Sequence, residues 1–128
     1  MIDKLRGILE DKSSNEAIVL IGGISFKIKM SINSLDSLPN IGKEVKIFTY
    51  LHVREDLLQL FGFLNNVERE TFEFLISISG IGPKLALTIL SGVETDFLKK
   101  SIIAGDIEAL TKIPGVGNKT AKRIIIEL

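Results

Sequence analysis

The feature that most constrains this chain is an internal repeat. ISGIGPKLALTIL at residues 78–90 and IPGVGNKTAKRII at residues 113–125 align at a constant offset of 35. The pairs Ile78 and Ile113, Gly80 and Gly115, Gly82 and Gly117, Lys84 and Lys119, Ala86 and Ala121, and Ile89 and Ile124 are identical. A period this short leaves room for one supersecondary unit per copy. After each Gly-x-Gly the apolar residues recur at helical spacing. In the second copy Ala121, Ile124, Ile125 and Leu128 stand at i, i+3, i+4 and i+7 and are expected to bury one face. Lys119, Lys122 and Arg123 are expected to project from the opposite face. Each copy therefore reads as helix, tight turn, helix.

Upstream the period is two. Ile24, Phe26, Ile28 and Met30 alternate with Ser25, Lys27 and Lys29, which places the apolar set on one face of a strand. IDKLRGILE, AIVLI, KEVKIFTYL and LLQLFGF are similar segments, separated by SSN, GG, LPNIG and RED. Five short strands with turn signals between them fit a small barrel of the oligonucleotide- and oligosaccharide-binding (OB) type. At NNVERETF the pattern changes. Asn65 and Glu68 have capping-box spacing, and Phe72, Leu75 and Ile76 follow at helical intervals. Asp106 is expected to cap a short helix ending near Ile113, and Thr95 or Asp96 to open the helix carrying Phe97, Leu98 and Ile102. The expected fold is α+β: an OB barrel over residues 1–64, then about five short helices over 65–128 carrying the tandem turn motif.

Composition narrows the chemistry. With 128 residues, 45% apolar and 25% charged, the chain is of globular type. It has no cysteine, which excludes disulfides and thiolate metal sites, and its one histidine, His52, rules out a multi-histidine site. His52 reads as structural, because no serine or cysteine nucleophile is set beside it by a recognisable motif. No metal, cofactor or catalytic residue is expected. The absence of a signal-peptide pattern or a run of about 18 apolar residues leads to the expectation of a cytoplasmic protein without a membrane partner. Net charge is zero, with eight basic and eight acidic residues in each half. The distribution is more telling: between Ala109 and Ile126 stand Lys112, Lys119, Lys122 and Arg123 and no acid.

The turns make a helix-hairpin-helix motif, and such a motif has a use for an anion. Glycine permits backbone angles closed to other residues and lets another group approach the main chain. The free N–H groups at the start of the second helix carry partial positive charge, and a lysine two residues past the second glycine adds a charge-assisted contact to phosphate. One copy on its own reads as a helix cap; duplication with the lysine retained favours binding. Two such turns, related by an approximate twofold, suit the two strands of a duplex, held by phosphate and shape rather than by base edges. Pro83 removes one donor from the first copy, so the second is the stronger candidate. A P-loop is excluded because Asn118 separates Gly117 from Lys119, and a dinucleotide fingerprint because Leu85 and Thr120 stand where its third glycine belongs. HVREDLLQLFGF sets Glu55 and Asp56 on a turn between two strands; by spacing alone this is a solvated hairpin tip.

With both hairpins, the MIDKLRG start, VRED at 53–56 and GIGPKLALTILSG at 80–92 in view, the whole chain resembles the RuvA family of bacterial Holliday-junction-binding subunits. The resemblance implies a non-catalytic protein of recombination and repair that binds four-way junction DNA as a homotetramer, with one or two tetramers per junction. It maps Gly80, Gly82 and Lys84, and Gly115, Gly117, Asn118, Lys119 and Thr120 with Lys122 and Arg123, onto the family's duplex grips. Many members carry lysine where Asn118 stands and often an acid where Lys122 stands, which redistributes basic charge along the helix. It also turns Glu55 and Asp56 into an acidic pin at the tetramer centre, repelling phosphates and limiting the binding of ordinary duplex. Members continue into a third domain that binds the ATP-driven RuvB motor. The expectation for a chain ending at Leu128 is junction binding without stable motor recruitment; a RuvC-type resolvase is a further implied partner. Two readings of other classes stand beside this one: a helix-hairpin-helix DNA repair enzyme, and an OB-fold protein-interaction module.

Overall fold

A computed structural model describes residues 2–127. The strands are β1 (Lys4–Lys12), β2 (Glu16–Ile21), β3 (Ile24–Lys29), β4 (Glu44–Arg54) and β5 (Leu57–Phe63). They close into a barrel in the order β1-β2-β3-β5-β4, with β4 returning to β1. All neighbours are antiparallel except β3 and β5, which run parallel through Ile28↔Leu60 and Lys29↔Phe61. This is the five-stranded OB barrel expected from the sequence. Leu9, Ala17, Val19, Ile28, Met30, Val45 and Ile47 point inward and form its core with Leu35 and Leu38. The period-two face of β3 is buried only at its far end: Ile28 and Met30 are enclosed, whereas Ile24, beside the Gly22-Gly23 turn, is exposed.

Between β3 and β4 the chain forms a helix that the sequence reading missed, α1 (Ile32–Asp36). Ser31 caps it by accepting a hydrogen bond from the Ser34 amide, and Leu35 is its contribution to the barrel core. At five residues it is too short to show a helical period. The only local signal was a serine followed by another three residues on.

The helices of the second half are α2 (Asn66–Ser77), α3 (Pro83–Gly92), α4 (Thr95–Ile103), α5 (Ile107–Thr111) and α6 (Asn118–Ile126). Asn65 caps α2 as its spacing predicts, accepting from the Glu68 amide at 2.8 Å. Glu68 reaches back one residue further than a capping box requires: its carboxylate accepts from the Leu64 amide at 3.4 Å and from the Ser34 hydroxyl at 2.6 Å. Arg69 donates to the Asp3 carbonyl, the Asp3 carboxylate and the Thr49 carbonyl at 2.7, 2.9 and 3.3 Å. The first turn of α2 is thereby bonded to the strands, and the chain parts into compact units at residues 1–69 and 70–128. In the second unit Leu75, Ile78, Ile89, Leu98, Leu110 and Ile124 are among the largest fully buried side chains. Asp106 caps α5 as expected, through the Ala109 amide at 3.0 Å. Helix α4 begins at Thr95, with Glu94 at the cap position and no side-chain cap bond.

Candidate nucleic-acid interface

The two repeats fold into the same turn, bond for bond. In the first, the Ile78 amide donates to Leu75 O, Ile81 to Ile78 O and Ala86 to Gly82 O, at 3.1, 3.1 and 3.0 Å. In the second, Ile113 donates to Leu110 O, Val116 to Ile113 O and Ala121 to Gly117 O, at 3.2, 3.0 and 2.9 Å. Every donor and acceptor is displaced by the sequence offset. Ile81 and Val116, the residues between the glycines, are buried and anchor the turns.

Each turn gives its two glycines different work. Gly80 and Gly115 have φ of 92° and 86°, the left-handed region that an L side chain enters at a cost of about 1–2 kcal/mol. Gly82 and Gly117 are the N-caps of α3 and α6, with φ of −93° and −92° and extended ψ. That backbone suits any residue, and a Cβ at either position would meet no atom within 4 Å. Packing and backbone geometry inside the chain therefore do not account for these second glycines. Neither cap makes a side-chain hydrogen bond. The first-turn amides of Lys84 and Leu85 on α3, and of Asn118, Lys119 and Thr120 on α6, stand ahead of the first intrahelical bonds. Pro83 occupies the position matching Asn118, so α3 offers one donor fewer.

Lys84, Asn118, Lys119 and Lys122 are exposed, and Thr120 is half-buried. No ion pair among the described residues involves Lys84, Lys119, Lys122 or Arg123. Arg123 departs from the expected outward stripe. It is half-buried, and its Nη1 donates to the Ser79 carbonyl of the first hairpin at 3.0 Å. The periodicity of α6 placed Arg123 beside Lys122 but carried no information about a carbonyl 44 residues away. Ala121 and Ile124 are buried and Ile125 half-buried, as the apolar face requires; Leu128 lies outside the described residues.

Glu55 and Asp56 form the two-residue turn between β4 and β5. The ladder beneath them runs Leu51↔Leu60, His52↔Gln59, Val53↔Leu58 and Arg54↔Leu57. The described pairing of β4 with β1 ends at Phe48, and that of β5 with β3 starts at Leu60. The last three rungs are thus a two-stranded ribbon, roughly 10 Å long at about 3.4 Å per residue. Both carboxylates are exposed, and no ion pair among the described residues involves either. Two rungs below the turn Val53 and Leu58 face each other, 62% and 68% exposed. No group of three His, Asp or Glu side chains among the described residues is placed to hold a metal ion. Nor is any described helix long and apolar enough to cross a membrane.

A five-stranded barrel followed by tandem helix-hairpin-helix turns defines the class of the chain by its architecture. Residues 1–62 match the family model described as the RuvA N terminal domain, and residues 72–128 the SAM-like helix-hairpin-helix tandem. The chain is 47% identical over its full length to a protein of Solibacter usitatus and 53% identical to one of Chloroherpeton thalassium, covering 65% and 64% of those proteins. It is 48% identical to one of Thermoanaerobacter pseudethanolicus, covering 68%. Each of the three is named Holliday junction branch migration complex subunit RuvA. The chain belongs to the RuvA family and spans about two thirds of the length of these curated relatives.

Proposed function

We propose that this chain binds four-way DNA junctions without catalysis, gripping duplex arms through the hairpins of residues 65–128 and centring the crossover on residues 1–64. The observation that carries the reading is the pair of uncapped helix N-termini at Gly82 and Gly117. Each has an exposed lysine two residues on and a glycine that nothing inside the chain requires. An oxyanion reaching those amides gains backbone donors, the helix dipole and a cation together. Phosphates of the two duplex strands are the ligands that fit two such turns, at Gly80, Gly82 and Lys84 and at Gly115, Gly117, Asn118, Lys119 and Thr120, with Lys122 alongside.

Assembly into a tetramer, singly or as two tetramers facing across the junction, is part of the proposal. An isolated two-stranded ribbon is marginally stable, and the exposed Val53–Leu58 pair gains from burial against neighbouring copies. Four ribbons meeting would gather the Glu55 and Asp56 carboxylates at one centre, where they repel phosphates and admit only the opened crossover. The chain would act in the cytoplasm in recombination and repair. It would hold the junction for an ATP-driven motor of RuvB type and for a RuvC-type resolvase.

The test compares affinity for a four-way junction with affinity for linear duplex over a salt series. Preference for the junction is expected, with a log-log slope of about −0.9 per neutralised phosphate. Equal affinities would overturn the reading. Glu55→Gln with Asp56→Asn should tighten binding to linear duplex and narrow the preference; unchanged discrimination would remove the pin.

A further inference from the structure

The two hairpins interlock through their first glycines. Arg123 leaves α6 and places Nη1 3.0 Å from the Ser79 carbonyl, at the entrance to the first turn. The same nitrogen lies 2.9 Å from where a Cβ on Gly80 would be, so any side chain at 80 would displace the guanidinium. In the other direction, Leu85 of α3 brings Cδ1 to 2.8 Å from the Cβ position of Gly115. Gly80 and Gly115 are thus each the seat of a side chain from the second helix of the opposite hairpin. Only one of the two cross-contacts is a hydrogen bond. Thr88, the counterpart of Arg123 at the repeat offset, bonds within its own helix to Lys84 O at 3.0 Å.

We propose that Arg123 is a positioning residue, whose bond to Ser79 holds the first turn against α6 so that the two grips keep a fixed separation and bind as one clamp. This rests on the phosphate-grip reading of both turns. The physical basis is pre-organisation: a turn already held in its bound geometry loses less entropy when the ligand arrives. The first turn has more need of it, because Pro83 leaves it one backbone donor short. Arg123 supplies from outside a constraint that the local sequence of the first hairpin lacks.

The structure provides an internal control. The Ile81 amide, bonded to Ile78 O, reports on the first turn, and the Val116 amide, bonded to Ile113 O, reports on the second. Arg123→Met and Arg123→Lys would be compared with Lys119→Met by amide hydrogen exchange of the free protein and by junction binding across a salt series. In Arg123→Met, exchange at Ile81 should rise about tenfold or more while Val116 stays within about twofold. The salt slope should lose about 2, more than the roughly 0.9 of a single phosphate contact expected for Lys119→Met. Arg123→Lys restores the charge without the planar fork, so the fast exchange at Ile81 should persist. It also serves as the second variant should Arg123→Met fold poorly. Unchanged exchange at Ile81 in both Arg123 variants would overturn the proposal, as would a slope loss in Arg123→Met no larger than that of Lys119→Met. If exchange rises but the wild-type chain binds no DNA, the phosphate-grip reading fails, and the positioning role with it.

Discussion

The first and second hairpins share a backbone and differ in what surrounds it. Their turns repeat three hydrogen bonds at one offset and place glycines at the same left-handed and capping positions. They diverge on the second helix, where Pro83 corresponds to Asn118, Leu85 to Thr120 and Thr88 to Arg123. The two turns thus keep one main-chain geometry while the side chains around it differ. The second copy carries the fuller donor set and the basic stripe. The first contributes Leu85 to the other's glycine and receives Arg123 on its own.

The largest expected effect probes what is shared. Ile89→Ala and Ile124→Ala truncate equivalent, fully buried side chains of α3 and α6. Each should cost about 2–5 kcal/mol by urea unfolding. A marked inequality would break the symmetry of the two cores. Next come the glycines. Gly115→Ala and Gly80→Ala both force a side chain into a left-handed turn, at about 1–3 kcal/mol. Gly115→Ala should be the more destabilising to thermal unfolding, because the half-buried Leu85 yields less readily than the end of an arginine. Gly80→Ala should instead mimic loss of the Arg123 bond. Equal thermal costs would show that the two seats do not differ.

Lys84→Ala and Lys119→Ala alter exposed side chains, should leave the fold alone, and test the proposed grips directly. Each should lower the magnitude of the junction salt slope by about 0.9 if its ammonium meets a phosphate. A loss confined to Lys119 would mean that the Lys84 ammonium meets no phosphate. The smallest effect is a control in the barrel. Arg69, donating to the Asp3 carboxylate, holds that group below the ordinary aspartate range. A carboxylate held low contributes stability above its unfolded pKa and loses it as pH falls through the folded value. Asp3→Asn should therefore flatten the acid side of the stability profile slightly, since Asp3 is exposed and its ion pair is screened. Junction binding by Asp3→Asn at neutral pH should match the wild type, and a change would implicate the barrel in the grip.

Much of the fold was legible because it is periodic. The strand alternation, the five helices of the second half, the Asn65 and Asp106 caps and the doubled turn all follow from residues within a few positions of one another. Helix α1 escaped because five residues do not complete a period. The position of Glu55 and Asp56 on a turn was readable, but the two-stranded ribbon beneath them was not, since it depends on where β1 and β3 cease to pair. The candidate site was legible at its glycines and lysines. At Arg123 helical spacing gave the face of α6 and no view of the Ser79 carbonyl to which it donates.

Local pattern along the chain sets two structural grammars, their order, and a Gly-x-Gly-x-Lys turn made twice, because propensity and periodicity act over a few residues. Tertiary structure alone decided how β4 closes on β1, which second-helix side chain seats on which glycine, and that one arginine of the basic stripe ties the two hairpins together. Those contacts join residues tens of positions apart. Their partners are fixed by packing geometry, which no short window of the sequence encodes.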